Sequence, residues 1–483
     1  MNDTRQIEAI VDAEREMLVD LSHRIWKFAE LPYKEKESSA LLAEKLRVHG
    51  FEVTFGCAGI PTAFVARWSS PVSGGMTAGF LGEFDALDGL SQEAGRASKA
   101  SESAGAPGHG CGHNALGAGS LGAAIALKKY LTVNNMPGAV IYYGCAGEEG
   151  AGSKQFMARD GLFDGTDFVY SWHPANRNGV DSHSTSAIMG GNFIFAGVAA
   201  HAGGTPWLGR SALDAAELMS VGTNYLREHM IEKARIHYAY SDVGGVSPNV
   251  VQDRAVVKYE VRSPKIDQVE ELFERVVNVA KGAALMTGTE SRHEVTFAFS
   301  DYAPNDALAR VADECMREIG APKWDESDYA LARAFLSTYG HETMKSIRER
   351  VAERWGESWA DEVLARPLDS EIQSYDPEGR YIVESGSTDV GDVTYAVPTA
   401  GLRVATACVG NVGHSWQMTA QAGSSIADKG LITAAKMLAL AAVRTMARPD
   451  VVAEAKRIVG VRNGGKGYVC PLPDDVKPPV GRY

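Results

Sequence analysis

Across residues 4–30, and again across 38–49, apolar residues recur at the three- and four-residue intervals of an amphipathic helix. The second stretch stops at Gly50 in the manner of a C-cap. The period then shortens. Apolar runs at 62–68, 77–81, 139–143 and 168–172 read as strands, and a long helical pattern over 115–130 separates the second pair from the first. Strands alternating with helices predict a layered α/β domain with a largely parallel sheet.

A second organisation begins near Gly190. A strand at 192–199, a helix at 212–230, strands at 235–240 and 255–261, a helix at 268–285 and a strand at 294–299 give the order β-α-β-β-α-β of a ferredoxin-like unit. The expected organisation is thus one domain in two parts, 1–188 and 303–483, interrupted by an inserted unit over 189–302. Beyond it lie a charged helical segment at 328–364 and an Ala-rich helix at 431–446. The stretch after Arg448, with a Gly-Gly pair and several prolines, reads as surface wrapping or a flexible end.

At 483 residues and 45% hydrophobic, the chain exceeds the roughly 250–300 residues at which single cores stop growing, which agrees with more than one domain. Lys and Arg total 48 against 61 Asp and Glu, a formal net charge of -13 without a basic run, which argues against nucleic acid and anionic membrane as partners. The polar, acidic first residues do not resemble a signal peptide, and no apolar stretch has the length of a membrane span, so a cytoplasmic protein is expected. Six scattered cysteines do not suggest a disulfide framework.

Chemistry concentrates at strand ends. GHGCGHN places Cys111 and His113 in a glycine-rich turn that opens a helix, and thiolate and imidazole both ligate zinc-like ions. Alone, such a pair also describes an ordinary turn. After AVIYYG, however, CAGEEG sets Glu148 and Glu149 just past a strand, where one carboxylate can bind metal while its neighbour accepts a proton. The next strand ends in His173, and TAGFL is followed by Glu83 and Asp85. Sites in open α/β sheets gather at this edge.

These residues resemble the metallopeptidase family of aminoacylases, carboxypeptidase G and auxin-conjugate amidohydrolases. The resemblance runs nearly the whole chain, through GEFDALDGLSQ, GHGCGHN, GCAGEEG, SWHP, AHAGGTPWLGRSALDAA, VSPNVV, VRSP, STDVGDVTY and GHSWQ. It implies Cys111, His113, Glu149, His173 and His414 as metal ligands, Glu148 as general base and Asp85 as a support for a ligand. It further implies that the inserted unit is a lid and dimerisation domain. His201 would then reach a second subunit's site to stabilise the oxyanion, and Asn249 and Arg262 would hold the substrate carboxylate. Asn114 stands where many relatives have aspartate, which bears on whether one or two ions are held. Asp389 and Asp392, in STDVGDVTY, resemble a pocket wall and read equally as a polar turn.

The expected activity is metal-assisted amide hydrolysis with Zn²⁺ or Mn²⁺, Glu148 carrying the proton. The resemblance implies N-acyl-amino acid substrates, p-aminobenzoyl-glutamate or a related aromatic acyl-glutamate or -aspartate first. β-Alanyl or other dipeptides are the alternative within the family. A homodimer is expected, with a heteromer of related subunits, or a non-catalytic partner subunit of a heteromeric hydrolase, as the readings of another kind.

Overall fold

The computed structural model describes residues 3–481. The apolar spacing at the start yields two helices rather than one, α1 (Asp3–Ala13) and α2 (Arg15–Phe28), broken at Glu14. α2 closes on Ala29 in the left-handed conformation. After α3 (Lys36–Val48), a strand the pattern did not predict, β1 (Glu52–Phe55), runs antiparallel to β2 (Phe64–Ser69). Its sequence EVTF is mostly exposed at the sheet margin, so no buried face marks it.

Then come β3 (Thr77–Glu83), α4 (His113–Val133), β4 (Ala139–Cys145), α5 (Lys154–Arg159) and β5 (Phe168–Ala175), with short β6 (Gly179–Val180) and β7 (Ser184–Thr185). The inserted unit comprises β8 (Ala187–Ala196), α6 (Ala212–Leu226), β9 (Arg235–Asp242), β10 (Arg254–Ser263), α7 (Ile266–Thr287) and β11 (Glu290–Phe299). Its four strands form one antiparallel sheet in the order β11-β8-β10-β9, with α6 and α7 packed on it, as the ferredoxin-like pattern predicts.

The chain returns through α8 (Asp306–Ile319), α9 (Glu326–Leu336), α10 (His341–Trp355), α11 (Ala360–Ala365), β12 (Val383–Glu384), α12 (Val390–Ala396), β13 (Thr399–Ala405), α13 (Trp416–Ala422), α14 (Ser425–Met446) and α15 (Pro449–Arg462). The charged segment is therefore three helices, gathered around a small core of their own that includes Phe335, Ile347 and Val351. The stretch after Arg448 is also not loose. Arg462 donates to the carbonyls of Thr394 and Pro304, each at 2.8 Å, and Ala455 accepts from Asn305 at 2.9 Å, so α15 is docked through backbone carbonyls.

The main sheet runs β1-β2-β4-β3-β5-β13-β6. The central four, β4-β3-β5-β13, are parallel, whereas β1, β2 and β6 pair antiparallel at the margins, so the sheet is mixed. α4 is buried along nearly its whole length against this sheet and α14. Gly117 permits the approach, since a Cβ there would lie 2.8 Å from the Glu83 carbonyl oxygen. Because the central strands are parallel, Glu83, Cys145 and Ala175 end on one edge, and the loops beyond them meet there. Among the described residues, no helix is long and apolar enough to cross a membrane.

Candidate metal centre

The turn before α4 delivers two donors to that edge. Gly112 takes φ 82 and leaves Cys111 facing the end of β5, and a Cβ at Gly112 would lie 2.9 Å from that of Pro174. Cys111 Sγ and His173 Nε2 are thereby 3.4 Å apart. His173 Nδ1 is 2.7 Å from the Pro174 carbonyl oxygen, which accepts its proton and leaves Nε2 as the donor to the site.

His113, the first residue of α4, is fully buried, and its Nδ1 lies 2.7 Å from Asp85 Oδ1. The other Asp85 oxygen accepts the Glu149 backbone N–H at 2.8 Å, so one aspartate fixes both an imidazole and the acidic loop. This is the carboxylate–imidazole arrangement that orients a metal-binding histidine. His414 stands in a loop ahead of α13. Its φ of 52 is rare for a non-glycine residue, and its N–H donates to Gly110 at 2.9 Å, tying it to the Cys111 turn. Its Nε2 lies 3.3 Å from Glu149 Oε1.

Two triplets, Cys111–His113–His173 and Cys111–Glu149–His414, and a third, Glu83–His113–Glu148, each bring their donor atoms within 4.8 Å of one another. His113 Nε2 and Glu149 Oε1 are both buried, and the polar neighbours that face them, Glu83 at 3.2 Å and His414 at 3.3 Å, meet them at ion-pair rather than close hydrogen-bond geometry. Buried donors so loosely satisfied leave room for a ligand, and thiolate, imidazole and carboxylate together fit a divalent ion of borderline softness.

The charges agree with that donor set. Burial works against ionisation of Cys111, but His113 and His173 outweigh it and bring the thiol down to about 5. Burial also opposes a charged Glu149, yet the hydrogen bond from His414 and the charge of His113 hold it down to about 2. Glu148 differs. Burial, with the carboxylates of Glu83 and Glu149, pushes it well above the usual carboxylate range. Adjacent carboxyls pushed apart in this way can divide their work, one holding charge and the other carrying a proton.

Behind the cluster sits a group that sequence reasoning passed over. Lys154 is fully buried, with Nζ 2.7 Å from Glu83 Oε1 and 2.6 Å from Asp389 Oδ1. Asp389 Oδ2 also accepts the N–H groups of Ser153 and Lys154 at the start of α5. Asp389 and Asp392 are therefore buried anchors rather than pocket wall; Asp392 takes the hydroxyls of Ser300 and Tyr468, while Thr388 and Val390 face the cavity. Asn114 is buried behind the cluster, its amide donating to Ser22 Oγ and the Ala422 carbonyl. Glu35, buried beneath the acidic loop, accepts from the Gly147 N–H and from Thr62. Lys154, after a Gly-Ser turn, and Glu35, between two lysines, read in the sequence as ordinary solvated charges.

The cluster opens on a cavity of about 220 Å³. Arg262 reaches its rim, donating to Ser387 at 3.0 Å. His201 and Asn249 do not line it: both are exposed on the inserted unit, in segments joined by a bridge between His201 and Val250.

Residues 183–286 match the Peptidase dimerisation domain family. Over 477 residues, 98% of each chain, the sequence is 38% identical to a subunit of the p-aminobenzoyl-glutamate hydrolase of Escherichia coli. The chain belongs to the M20 family of metallopeptidases. It is 27% identical over 484 residues to the Xaa-Arg dipeptidase of Mus musculus, covering 96% of this chain and 92% of that one. Its fold is that of a Bacillus subtilis dinuclear metal-binding peptidase of the M20 family, with a TM-score of 0.58 and 16% identity over 90% of this chain and 99% of the other. This M20 protein is accordingly a metal-dependent amidohydrolase with a dimerisation domain, in which the donor cluster is the candidate site for a divalent ion.

Proposed function

We propose that this chain hydrolyses the amide bond of N-acyl-amino acids, with p-aminobenzoyl-glutamate or a related aromatic acyl-glutamate or -aspartate as substrate, using Zn²⁺ or Mn²⁺. The observation that carries the reading is the pair of donor triplets sharing Cys111, with the Glu148 carboxyl in a third triplet beside them. Two triplets suit one or two ions, which Cys111, His113, His173, Glu149 and His414 would hold.

A bound divalent ion supplies Lewis acidity, polarising the amide carbonyl and acidifying water. Glu148 takes the proton from the attacking water and returns it to the leaving amine, a role that a carboxyl held above its usual range suits. Asp85 holds His113 in the tautomer that presents Nε2. Arg262 at the rim, with Asn249, receives the substrate carboxylate.

Residues 1–188 and 303–483 would form the catalytic domain and 189–302 the lid. Since His201 and Asn249 lie outside their own chain's cavity, the site is completed by a second copy, whose His201 stabilises the oxyanion and whose Asn249 joins Arg262 at the substrate carboxylate. Apolar residues exposed on the inserted unit, including Trp207, Leu208, Tyr225 and Val246, support pairing through it. We place this reaction in the cytoplasm.

The name of the bacterial relative, a hydrolase subunit, favours a second reading, a chain active only beside a related one. Purified protein supplied with Zn²⁺ or Mn²⁺ should release amine from N-acyl-glutamates or N-acyl-aspartates, and Glu148→Ala should abolish release. Turnover of dipeptides alone would replace the substrate class, and full activity in Glu148→Ala would remove the catalytic assignment. Hydrolysis appearing only on addition of a related chain would favour the heteromer.

A further inference from the structure

Arg403 lies near the end of β13, where the parallel ladder pairs it with His173 of β5. Side chains of residues paired across neighbouring strands leave a sheet on the same face, so the guanidinium stands beside the imidazole that meets Cys111. Asp181 fixes its direction, both carboxylate oxygens accepting from Nε at 2.8 and 3.1 Å. That contact engages one of five N–H donors. Neither Nη1 nor Nη2 has a hydrogen-bond partner among the described residues.

Two cavities meet at this side chain. Arg403 lines the 220 Å³ cavity over the donor cluster, where it is the single Lys or Arg among the lining residues, and also a 310 Å³ cavity that shares Cys111 and His173 with it. Glu384, which also lines both cavities and adds its charge to that of Asp181 near Arg403, makes its own close contacts elsewhere, 3.1 Å from His183 and 3.4 Å from Arg177. The Arg403 side chain is 25% exposed, so a ligand in the cavity can reach it.

We propose that the free end of the Arg403 guanidinium is a carboxylate-recognition subsite, taking a substrate carboxylate other than the one assigned to Asn249 and Arg262. This rests on the hydrolase reading above. With Asp181 holding Nε, the two Nη groups present a planar fork that matches both oxygens of a carboxylate. Because Asp181 already neutralises the charge, selection rests on donor geometry. An isosteric carboxamide places an NH₂ against a donor and loses one of the two hydrogen bonds. The second carboxylate has two sources, the side chain of a glutamyl or aspartyl substrate or an acid carried on the acyl group, and both present the same chemistry to the fork.

The test compares the metal-loaded enzyme with Arg403→Gln and Arg403→Lys on two pairs, N-benzoyl-glutamate with N-benzoyl-glutamine and 4-carboxybenzoyl-alanine with benzoyl-alanine. Both kcat/KM and calorimetric Kd are measured, with thermal unfolding as the check on folding. The wild type should prefer the acid within one pair, and Arg403→Gln should reduce that preference by about 10- to 100-fold, the range for a hydrogen bond to a charged group. Arg403→Lys should recover part of it, and the pair that responds identifies the source. A preference identical in all three proteins, an equal loss on every substrate, or no preference in the wild type overturns the subsite. If the wild type binds these compounds but cleaves none, the hydrolase reading fails while the Kd ratios still decide the role of Arg403.

Discussion

Replacing Lys154 with methionine should destabilise the folded chain by about 3–5 kcal/mol near neutral pH, the cost of removing one partner from a buried ion pair. The structure explains the size. Each of two carboxylates lies within 2.7 Å of the buried ammonium, an attraction of about 6 kcal/mol apiece at an effective dielectric of about 20. Against this stands a desolvation penalty of several kcal/mol per ion. Methionine removes the attraction and leaves both carboxylates desolvated. Asp389 keeps two backbone N–H donors and Glu83 keeps His113, 3.2 Å away, which limits the loss.

The pH dependence has a definite sign. In the native protein, burial of Glu83 is outweighed by Lys154 and His113, and its carboxyl lies below the ordinary 4.5. Its contribution is present above that value and lost as pH falls through the folded one. Without Lys154 the order reverses: folding raises the carboxyl, and the variant loses stability as pH climbs above about 4.5. Urea unfolding of chelator-treated protein should therefore show a wider gap between wild type and Lys154→Met near pH 8 than near pH 5. Adding Glu83→Gln and Asp389→Asn should recover part of the loss. A gap under about 1 kcal/mol, equal at both pH values, refutes the reasoning, because a removed buried partner costs more than that.

Other outcomes follow from the same geometry. Glu148→Gln should lower kcat by about 10²- to 10⁴-fold without lowering the unfolding midpoint, since it removes a carboxyl that burial, Glu83 and Glu149 already disfavour; activity within tenfold of wild type would contradict the proton-carrier role. Asp85→Asn should weaken metal binding by about 10- to 100-fold in a chelator competition, and unaltered affinity would show that His113 needs no such support. His23 is raised above 6.5 by its hydrogen bond to Asp428, so the stability of that half-exposed pair is present below 6.5 and lost as pH rises through the folded value. Asp428→Asn should then cost a few tenths to about 1 kcal/mol near pH 5.5 and less near pH 9, read from unfolding midpoints at both.

What was legible in the sequence depended on periodicity and on the grouping of unlike donors. The inserted unit was readable because α6 and α7 each bury one face and the shorter strand runs between them break the helical period, so the β-α-β-β-α-β order survives as a change of period. β1 was not, because four residues, EVTF, are too short a run for their alternation to stand out, and at the sheet margin they are mostly exposed. α15 was hidden by the Gly-Gly pair and prolines that follow it, although the helix itself ends before them. The mixed sheet escaped notice because strand direction depends on connections, not composition.

At the site, Cys111, His113, Glu148, Glu149 and His173 stood out because ligand-type residues at strand ends are rarely idle in groups, and the fold brings those loops together. Lys154 and Glu35 did not, and Asp389 stood out only as pocket wall or polar turn, since their work is to neutralise and brace from behind, and burial of a charge is a property of the packed molecule. Arg403 belongs with them: its meaning comes from its pairing with His173, from Asp181 and from two cavities, none of which is encoded within a few residues of its position. The donors are thus written locally, while the groups that fix their charge, and the one proposed to choose the substrate, are written only in the fold.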